Sequence, residues 1–482
     1  MAIQGFVKIA PYLYEAPRSL RSDMRAPARL YADDEIIQQA ASDHSLLQLI
    51  NTATLPGIVR YALAMPDIHE GYGFPIGGVV ATSWEDGVIS PGGVGYDINC
   101  GVRLLTSQIS SIELRPHLDG LLRLMYQAIP SGVGEKGSLH LKEAELKAVL
   151  EKGSEWALGR GYAMADDLAH TEDSGRLAGA DISALSPRAL ERGRDQVGTL
   201  GSGNHFLEID EVAEVFDQSA ARALGLVVGN ICVWVHSGSR GLGHQVCTDA
   251  VNVMQQYIAR KGIKLVDREL AYAPCTSPEG RQYLAAMNCA ANYAWANRQM
   301  MTHLVRQCFT QALAGKISNC SLSVLYDVCH NIAKVEKHNV EGNQIKLCVH
   351  RKGATRAFGP GQYRLPEEYR TLGQPVLIPG SMGTESYVML GTQQAMEQTF
   401  GSACHGAGRL LSRSEARRTV RGEQLRAQLE HANISVQTGS LAGLSEEAPQ
   451  AYKDVNRVVE VVHQAGLARR VARTKPLAVI KG

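Results

Sequence analysis

Short glycine-rich segments of this sequence carry side chains that can bind metal ions or phosphate. The first, SPGGVGYDINCGVR at residues 90–103, places Asp97 and Cys100 three residues apart on a loop. A carboxylate and a thiol at this spacing can bind one cation together or bridge two. An isolated pair of this kind is also typical of a buried cysteine beside a capping aspartate, and the segment alone favours that simpler interpretation.

Three further segments each place a histidine beside a tight turn or a strand-like run. They are GTLGSGNHFLE with His205, VWVHSGSRGLGHQ with His236, and YDVCHNIAK with His330. Imidazole is a common metal ligand, and glycine turns expose backbone N–H groups to anions. Arg240, which follows His236, offers a planar fork suited to phosphate. A lone histidine is more often structural, and only the His236 segment by itself makes a functional interpretation at least as good.

Two later segments combine turns with hydroxyl or basic groups. In LIPGSMGTESY, residues 377–387, a Pro-Gly-Ser-Met-Gly turn can present N–H groups to an oxyanion. In SACHGAGRLLSR, residues 402–413, His405 lies in a glycine-flanked loop that is predicted to open a helix. Arg409 and Arg413 would then share one helical face, as an anion site or as a solvated basic stripe.

Together these segments predict a metal centre. Five side chains provide enough ligands for two adjacent divalent cations: Asp97, Cys100, His205, His236 and His330. Cys100 could bridge the two cations. Ligand softness alone favours zinc for such a set. His405 is left outside it. A histidine near metals and anion-binding turns can accept a phosphoryl or nucleotidyl group, because neutral imidazole is nucleophilic near pH 7.

Both strands and helices are predicted to position these residues. Short β-branched runs predict strands at residues 231–235 and 376–378. Proline-free stretches predict helices over residues 283–314, 414–430 and 452–463. Because strands and helices alternate without regular βαβ spacing, we expect an α+β fold. The lack of a linker or repeat predicts one catalytic domain over residues 1–482.

Composition limits the remaining possibilities. The 482 residues carry a net charge of +1, so any nucleic-acid partner must be bound by a local patch. No signal peptide is recognised at the N-terminus, and no apolar run approaches the length of a membrane span. The ten cysteines form no CxxC pair. This pattern predicts reduced thiols and a cytoplasmic location.

In their order along the chain, these segments closely resemble the RtcB family of RNA ligases. Further stretches share the resemblance: MPDIHEGYGFPIGG, AMNCAANYAWANRQ, HRKGATRAF, EEAPQAYKDV and the terminal IKG. The resemblance implies a large mixed domain with sheets and surrounding helices around a central metal and nucleotide cleft. It also implies a ligase that joins an RNA 3′-phosphate or 2′,3′-cyclic phosphate end to a 5′-hydroxyl end. GTP and two Mn²⁺ ions would be used, in tRNA splicing or RNA repair.

Roles follow residue by residue from the resemblance. One Mn²⁺, in place of the zinc suggested by softness, would be bound by Asp97, Cys100 and His205. The second would be bound by Cys100, His236 and His330. His405 resembles the guanylated nucleophile, and Arg240 resembles the arginine that holds the RNA phosphate. The nucleotide would contact Asn204, His205, Phe206, Leu207, Glu208, His330, Asn331, Pro379, Gly380, Ser381, Met382, Ser386, His405, Gly406, Ala407, Gly408 and Lys481.

Within this set, Glu208 and Lys481 are expected to contact the guanine ring, and Arg409 and Arg413 to extend the anion site. RNA ends are the expected partners, with an archease-type activator as a further one; no membrane is involved, and a monomer is expected. Two alternatives stay open at this point. One is a two-metal phosphoesterase that hydrolyses RNA ends, and the other is a non-catalytic RNA-binding protein.

Overall fold

The computed structural model describes residues 3–482, and strands and helices are interspersed throughout. The strands are β1 Val7–Ala10, β2 Leu13–Ala16, β3 Ala28–Tyr31, β4 Ile58–His69, β5 Ile76–Ser83, β6 Val88–Ile89, β7 Gly101–Ser110, β8 Phe206–Val215, β9 Asn230–Ser237, β10 Ala273–Pro274, β11 Leu322–Cys329, β12 Asn331–Val340, β13 Asn343–Lys352, β14 Ala354–Arg356, β15 Pro375–Ile378, β16 Ser386–Gly391, β17 Ser402–Cys404, β18 Ser435–Thr438 and β19 Ala468–Lys481.

The helices are α1 Asp34–Ala40, α2 Ser45–Thr52, α3 Ser111–Leu114, α4 Leu118–Ala128, α5 Glu143–Lys152, α6 Ser154–Gly159, α7 Ala165–Ala169, α8 Pro187–Gly193, α9 Gln218–Ala223, α10 Arg240–Arg260, α11 Pro278–Leu313, α12 Gln393–Gln398, α13 Arg413–Thr419, α14 Gly422–His431, α15 Leu441–Glu446 and α16 Val455–Gln464. The predicted mixed architecture is confirmed. Within residues 3–482, no helix has both the length and the apolar character needed to cross a membrane.

Two large sheets form the frame. One has the strand order β1-β2-β3-β4-β5-β13-β12, and the other the order β11-β7-β9-β8-β19-β16-β15, with β18 beside β19. The chain passes from the second sheet to the first between β11 and β12. His330 is the single residue that joins these two strands. The sheets therefore meet where the sequence places a candidate metal ligand.

The long helix α11 packs against this junction, in contact with β9 and β12. Its Arg298 is fully buried and donates hydrogen bonds to the carbonyl oxygens of Asn99 and Ser237, at 2.8 and 2.9 Å. Arg298 and Arg103 both form ion pairs with the buried Asp327. A buried charge is tolerated only when it is paired and hydrogen-bonded. This network therefore fixes the loop before β7 and the end of β9.

The predicted elements are found, with corrections to the helices. The strands at 231–235 and 376–378 lie within β9 and β15, and the helix at 283–314 corresponds to α11, which begins earlier. The single helix predicted over 414–430 is wrong, because the chain breaks between α13 and α14. Thr419, Val420 and Gly422 at the break are poor helix formers. A β-carbon at Gly422 would also lie 2.3 Å from the carbonyl oxygen of Leu441.

The second correction concerns the segment after His405. Arg409 pairs with Tyr452 in an isolated β-bridge, and the helix begins only at Arg413, after its capping residue Ser412. Arg409 and Arg413 therefore do not share a helical face. The helix predicted over 452–463 likewise starts at Val455, because Asp454 caps its first turn.

Candidate metal and nucleotide site

Neighbouring strands of the second sheet bring the predicted metal ligands together. In the order β11-β7-β9-β8 the strands are antiparallel, so the ends of β11 and β9 lie beside the starts of β7 and β8. Cys100 precedes β7, His205 precedes β8, His236 is near the end of β9 and His330 follows β11. Residues more than 200 positions apart in the sequence therefore meet at one edge of the sheet.

The ligand atoms form two groups that share Cys100. One group is Cys100, His236 and His330, and the other is Asp97, Cys100 and His205. The Cys100 Sγ lies 3.2 Å from His236 Nε2 and 3.3 Å from His205 Nε2. His236 Nε2 is 3.3 Å from His330 Nε2, and His205 Nε2 is 2.8 Å from Asp97 Oδ2.

These distances and the chemistry of the groups fit bound cations. Ligand atoms about 3.3 Å apart match the edge of a tetrahedron whose metal–ligand bonds are about 2.0–2.1 Å long. Burial lowers the pKa of His236 and of His330 well below the usual range, so both rings are neutral, as ligands must be. Burial raises the pKa of the Cys100 thiol, so a bound metal would displace its proton. The structure thus contains a candidate two-metal centre.

Beside this centre lies a cavity of about 200 Å³. His236 and His330 form part of its wall, so it adjoins the first of the two ligand groups. Most of the residues expected to contact a nucleotide line it: Asn204, Phe206, Glu208, His330, Asn331, Pro379, Gly380, Ser381, Met382, His405, Gly406, Ala407, Gly408 and Lys481. Segments spread over nearly 280 residues therefore form one cavity.

Three residues predicted for the nucleotide site lie elsewhere. The His205 side chain belongs to the second metal group. The Leu207 side chain is fully buried in an apolar cluster with residues such as Ile209 and Ile480. The Ser386 hydroxyl accepts a hydrogen bond from the Gly380 N–H at 3.0 Å, behind the Pro-Gly-Ser-Met-Gly turn. Alternation along β8 explains Leu207, because its neighbours Phe206 and Glu208 face the cavity.

A buried carboxylate orients His405. Asp67 Oδ2 accepts hydrogen bonds from His405 Nδ1 at 2.6 Å and from the His405 backbone N–H at 2.9 Å, and the Asp67 side chain is fully buried. This contact holds the ring proton on Nδ1 and leaves a lone pair on Nε2. The His405 ring centroid lies 4.8 Å from that of His330. His405 is thus a carboxylate-supported nucleophile candidate next to the metal centre.

Sequence reasoning assigned no role to Asp67, although it lies in the quoted stretch MPDIHEGYGFPIGG. The available signal was that Asp67 is the one charged residue in the run YALAMPDI, residues 61–68 of β4. Other cavity residues were missed as well: His69, Ile76, Gly353, Glu447 and Tyr452.

At another part of the wall, a carboxylate and an amine extend from adjacent strands. Glu208 on β8 and Lys481 on β19 are both buried, and the two strands are paired antiparallel. Burial raises the pKa of Glu208 well above its usual range and lowers that of Lys481. Lys481 Nζ also lies 3.8 Å from the carboxylate of Glu447. One acceptor and one donor on the same wall can distinguish the polar edges of bases.

Two of the three predicted anion-binding arginines border the cavity. Arg409 and Arg413 reach the same carboxylate oxygen of Glu447, at 3.2 and 3.3 Å. Arg240 lies apart from them, with its Nε donating to the Thr199 hydroxyl at 3.1 Å. At the start of α10 it has a φ of +55°, a conformation that side chains other than glycine rarely adopt.

The fold and the site define a class of protein: a mixed α/β fold with a candidate two-metal centre next to a cavity that contains a carboxylate-bound histidine. A family model described as tRNA-splicing ligase RtcB matches residues 48–482. This chain therefore belongs to the RtcB family.

Curated relatives agree with this assignment over nearly their whole length. The tRNA-splicing ligase RtcB of Thermococcus kodakarensis is 52% identical, with 95% of each chain covered. That of Archaeoglobus fulgidus is 50% identical, with 100% of each chain covered. The RNA-splicing ligase RtcB of Mycobacterium tuberculosis is 51% identical over 90% of this chain and 100% of its own.

Proposed function

We propose that this protein is an RNA ligase that joins a 3′-phosphate or 2′,3′-cyclic phosphate end to a 5′-hydroxyl end, with GTP and two Mn²⁺ ions. The names of its relatives support splicing of RNA, and tRNA in particular. One observation carries the mechanistic part. The His405 imidazole, bound through Nδ1 to Asp67, lies in the same cavity as the metal-ligand candidates His236 and His330.

The first step forms a bond between His405 and GMP. His405 Nε2 attacks the α-phosphorus of GTP, a P–N bond forms, and the bond to pyrophosphate breaks. Asp67 stabilises the positive charge that develops on the ring. Cations held by the two Cys100 groups would neutralise the charge on the phosphate oxygens and on the leaving pyrophosphate.

The second and third steps use this GMP to activate the RNA. A cyclic phosphate end is first hydrolysed to a 3′-phosphate. An oxygen of the 3′-phosphate attacks the phosphorus on His405, and the P–N bond breaks. The 5′-hydroxyl then attacks the RNA phosphorus, a 3′,5′-phosphodiester forms, and GMP leaves. The protein contributes mainly by positioning the ends and stabilising charge.

Selectivity for guanine would come from Glu208 and Lys481. Burial disfavours the charge on each group, and bound guanine would favour it, because the Glu208 carboxylate would accept hydrogen bonds from N1–H and N2–H and the Lys481 ammonium would donate to O6. Adenine presents an acceptor at N1 and a donor at N6, so it mismatches both groups. Since both side chains are buried in the wall, the mismatch would leave buried polar groups unpaired.

A sealing assay separates this function from its alternatives. RNA strands ending in 3′-phosphate and 5′-hydroxyl are incubated with the protein, Mn²⁺ and GTP, and with GTP omitted as a control. We expect a sealed product only with GTP. Loss of the terminal phosphate without sealing would indicate a phosphoesterase, and binding without either reaction would indicate an RNA-binding protein.

Two features of the site, the tautomer of His405 and the Cys100 ligand groups, argue against the two alternatives. A phosphoesterase has no need of a histidine held in one tautomer, and a binding protein has no need of the Cys100 ligand groups. Four expectations stay predictions: a monomeric state, a cytoplasmic location, a single domain, and an archease-type activator.

A further inference from the structure

An aromatic surface lies next to the second metal group. It consists of Tyr72, Tyr96 and His244. The rings of Tyr96 and His244 are 4.9 Å apart between centroids and 31° from parallel, and the edge of Tyr72 meets Tyr96 at 5.5 Å. Tyr96 directly precedes the candidate metal ligand Asp97. His244 lies one helical turn after Arg240 on α10.

This surface is open to solvent and firmly supported. His244 is exposed, and Tyr96 and Tyr72 are half-buried. Both tyrosines pack against the apolar cluster that contains α10 and α11. The carbonyl oxygen of Tyr72 accepts a hydrogen bond from Lys352 Nζ, and that of Asp97, next to Tyr96, accepts one from Asn331 Nδ2 at 3.1 Å. A preformed aromatic face costs little conformational entropy when a planar ligand stacks on it.

Positive charge accompanies the rings. Arg192 donates to the Gln245 side chain at 3.3 Å, beside His244. Arg240 lies one helical turn before His244 and donates to the Thr199 hydroxyl at 3.1 Å. Aromatic rings that alternate with arginines are the usual means of binding single-stranded nucleic acid, because bases stack on the rings and phosphates pair with the guanidinium groups.

The position of the aromatic surface relative to the candidate metal ligands indicates which kind of molecule would bind to it. His236 and His330 face the nucleotide cavity, whereas Asp97 and His205 do not belong to its wall. The Asp97 side chain is 29% exposed, so the metal centre can also be reached from the side of Asp97, next to Tyr96. A phosphate or hydroxyl reaching the metals from this side would bring its own base next to Tyr96.

We infer that Tyr96 and His244 stack the base of the terminal nucleotide of an RNA end while Arg240 holds its phosphate. This inference rests on the proposed ligase function. It adds a binding site for the base, which sequence motifs did not assign. Such a site would act on any base, because every base has a planar face.

The test combines a variant with a substrate that lacks the base. Tyr96→Leu and wild type are compared in sealing by pre-guanylated protein, with intact RNA, with an abasic 3′-phosphate-terminal nucleotide, and with an abasic 5′-hydroxyl-terminal nucleotide. Tyr162→Leu is the matched control, because Tyr162 pairs with His303 at the same 4.9 Å separation away from the candidate site. Thermal unfolding of each variant is measured in parallel.

With intact RNA, Tyr96→Leu should raise the RNA concentration for half-maximal sealing by about 5- to 150-fold, the range for loss of one stacked base. Tyr96→Phe should restore it, and Tyr162→Leu should not change it. On RNA that lacks the stacked base, wild type and Tyr96→Leu should be equal, and the abasic position that equalises them identifies the end.

Equal losses with intact and both abasic RNAs, or no loss with intact RNA, would overturn the inference. The same holds if Tyr96→Leu loses its GMP adduct, since Tyr96 would then act through the metals. Failure of the wild type to seal intact RNA would instead overturn the proposed function itself, so the two failures are distinguishable.

Discussion

Replacing Asp67 by asparagine tests how His405 is activated. The carboxylate oxygen that accepts from His405 Nδ1 at 2.6 Å would become part of a neutral amide. Because the backbone N–H of His405 also needs that oxygen at 2.9 Å, the amide cannot rotate away without leaving a buried donor unpaired. If it does rotate, its NH₂ group favours the tautomer with the proton on Nε2, which cannot attack phosphorus.

The magnitude follows from these two effects. Loss of a charge-assisted hydrogen bond costs roughly 1.5–3 kcal/mol, or about 10- to 150-fold in rate. An inverted tautomer in a serine-protease triad costs about 10⁴-fold. We therefore expect Asp67→Asn to slow protein guanylylation at least about tenfold and up to about 10⁴-fold, with little change in GTP binding.

The assay is the rate of label transfer from α-labelled GTP to the protein under single-turnover conditions in Mn²⁺. Asp43→Asn is a suitable control, because Asp43 accepts from the Glu70 N–H in the same region without contacting His405. A wild-type rate for Asp67→Asn at saturating GTP would refute the proposed role of the carboxylate.

Three further predictions concern the metals, the RNA and the scaffold. Cys100→Ala should abolish sealing and weaken binding of both cations in titration calorimetry, because Cys100 belongs to both ligand groups. Arg240→Ala should slow sealing by about 10- to 150-fold, the loss of one charge-assisted contact, but leave guanylylation nearly unchanged. Asp327→Ala should lower the free energy of unfolding by roughly 3–5 kcal/mol, since it leaves two buried arginines unpaired. Asp34→Ala, which removes an exposed pair, should change it by less than about 1 kcal/mol.

Each of these has an opposing result. Normal sealing in Mn²⁺ by Cys100→Ala would mean that Cys100 is not the shared metal ligand. Equal losses of both steps in Arg240→Ala would indicate a structural role or a GTP contact. Denaturant unfolding of Asp327→Ala at the wild-type midpoint would mean that the buried network is not needed for stability.

Four candidate metal ligands, Cys100, His205, His236 and His330, could be recognised in the sequence because each lies at a strand end with its own local motif. Cys100, His236 and His330 each adjoin an apolar, β-like run, and strand ends that feed polar loops are where functional residues concentrate. The start of α11 at Pro278 was missed by five residues, although Ser277 and Pro278 form a capping pattern in the sequence. The break after α13 was not foreseen, because low local propensity and the contact of Gly422 with Leu441 act together.

The supporting residues of the site could not be found in the same way. Asp67 and His405 are separated by 338 positions, and nothing local in β4 indicates the partner. Glu447 is similar, because its role depends on Arg409, Arg413 and Lys481 meeting it from other segments. Such pairings depend on how the two sheets pack. The ligand-bearing motifs, in contrast, are short continuous segments that can be recognised in the sequence.

Mapping of the GMP adduct shows whether His405 is the residue that carries GMP. The protein is incubated with GTP and Mn²⁺ without RNA, digested, and analysed by mass spectrometry. We predict one GMP per chain, bound to His405. The bond would be a phosphoramidate, so the adduct should be labile in acid and stable in alkali. ATP should substitute poorly. His405→Ala should lose both adduct and sealing but still bind two metal ions, because His405 belongs to neither ligand group. GMP on another residue, or an active ligase without an adduct, would contradict the mechanism.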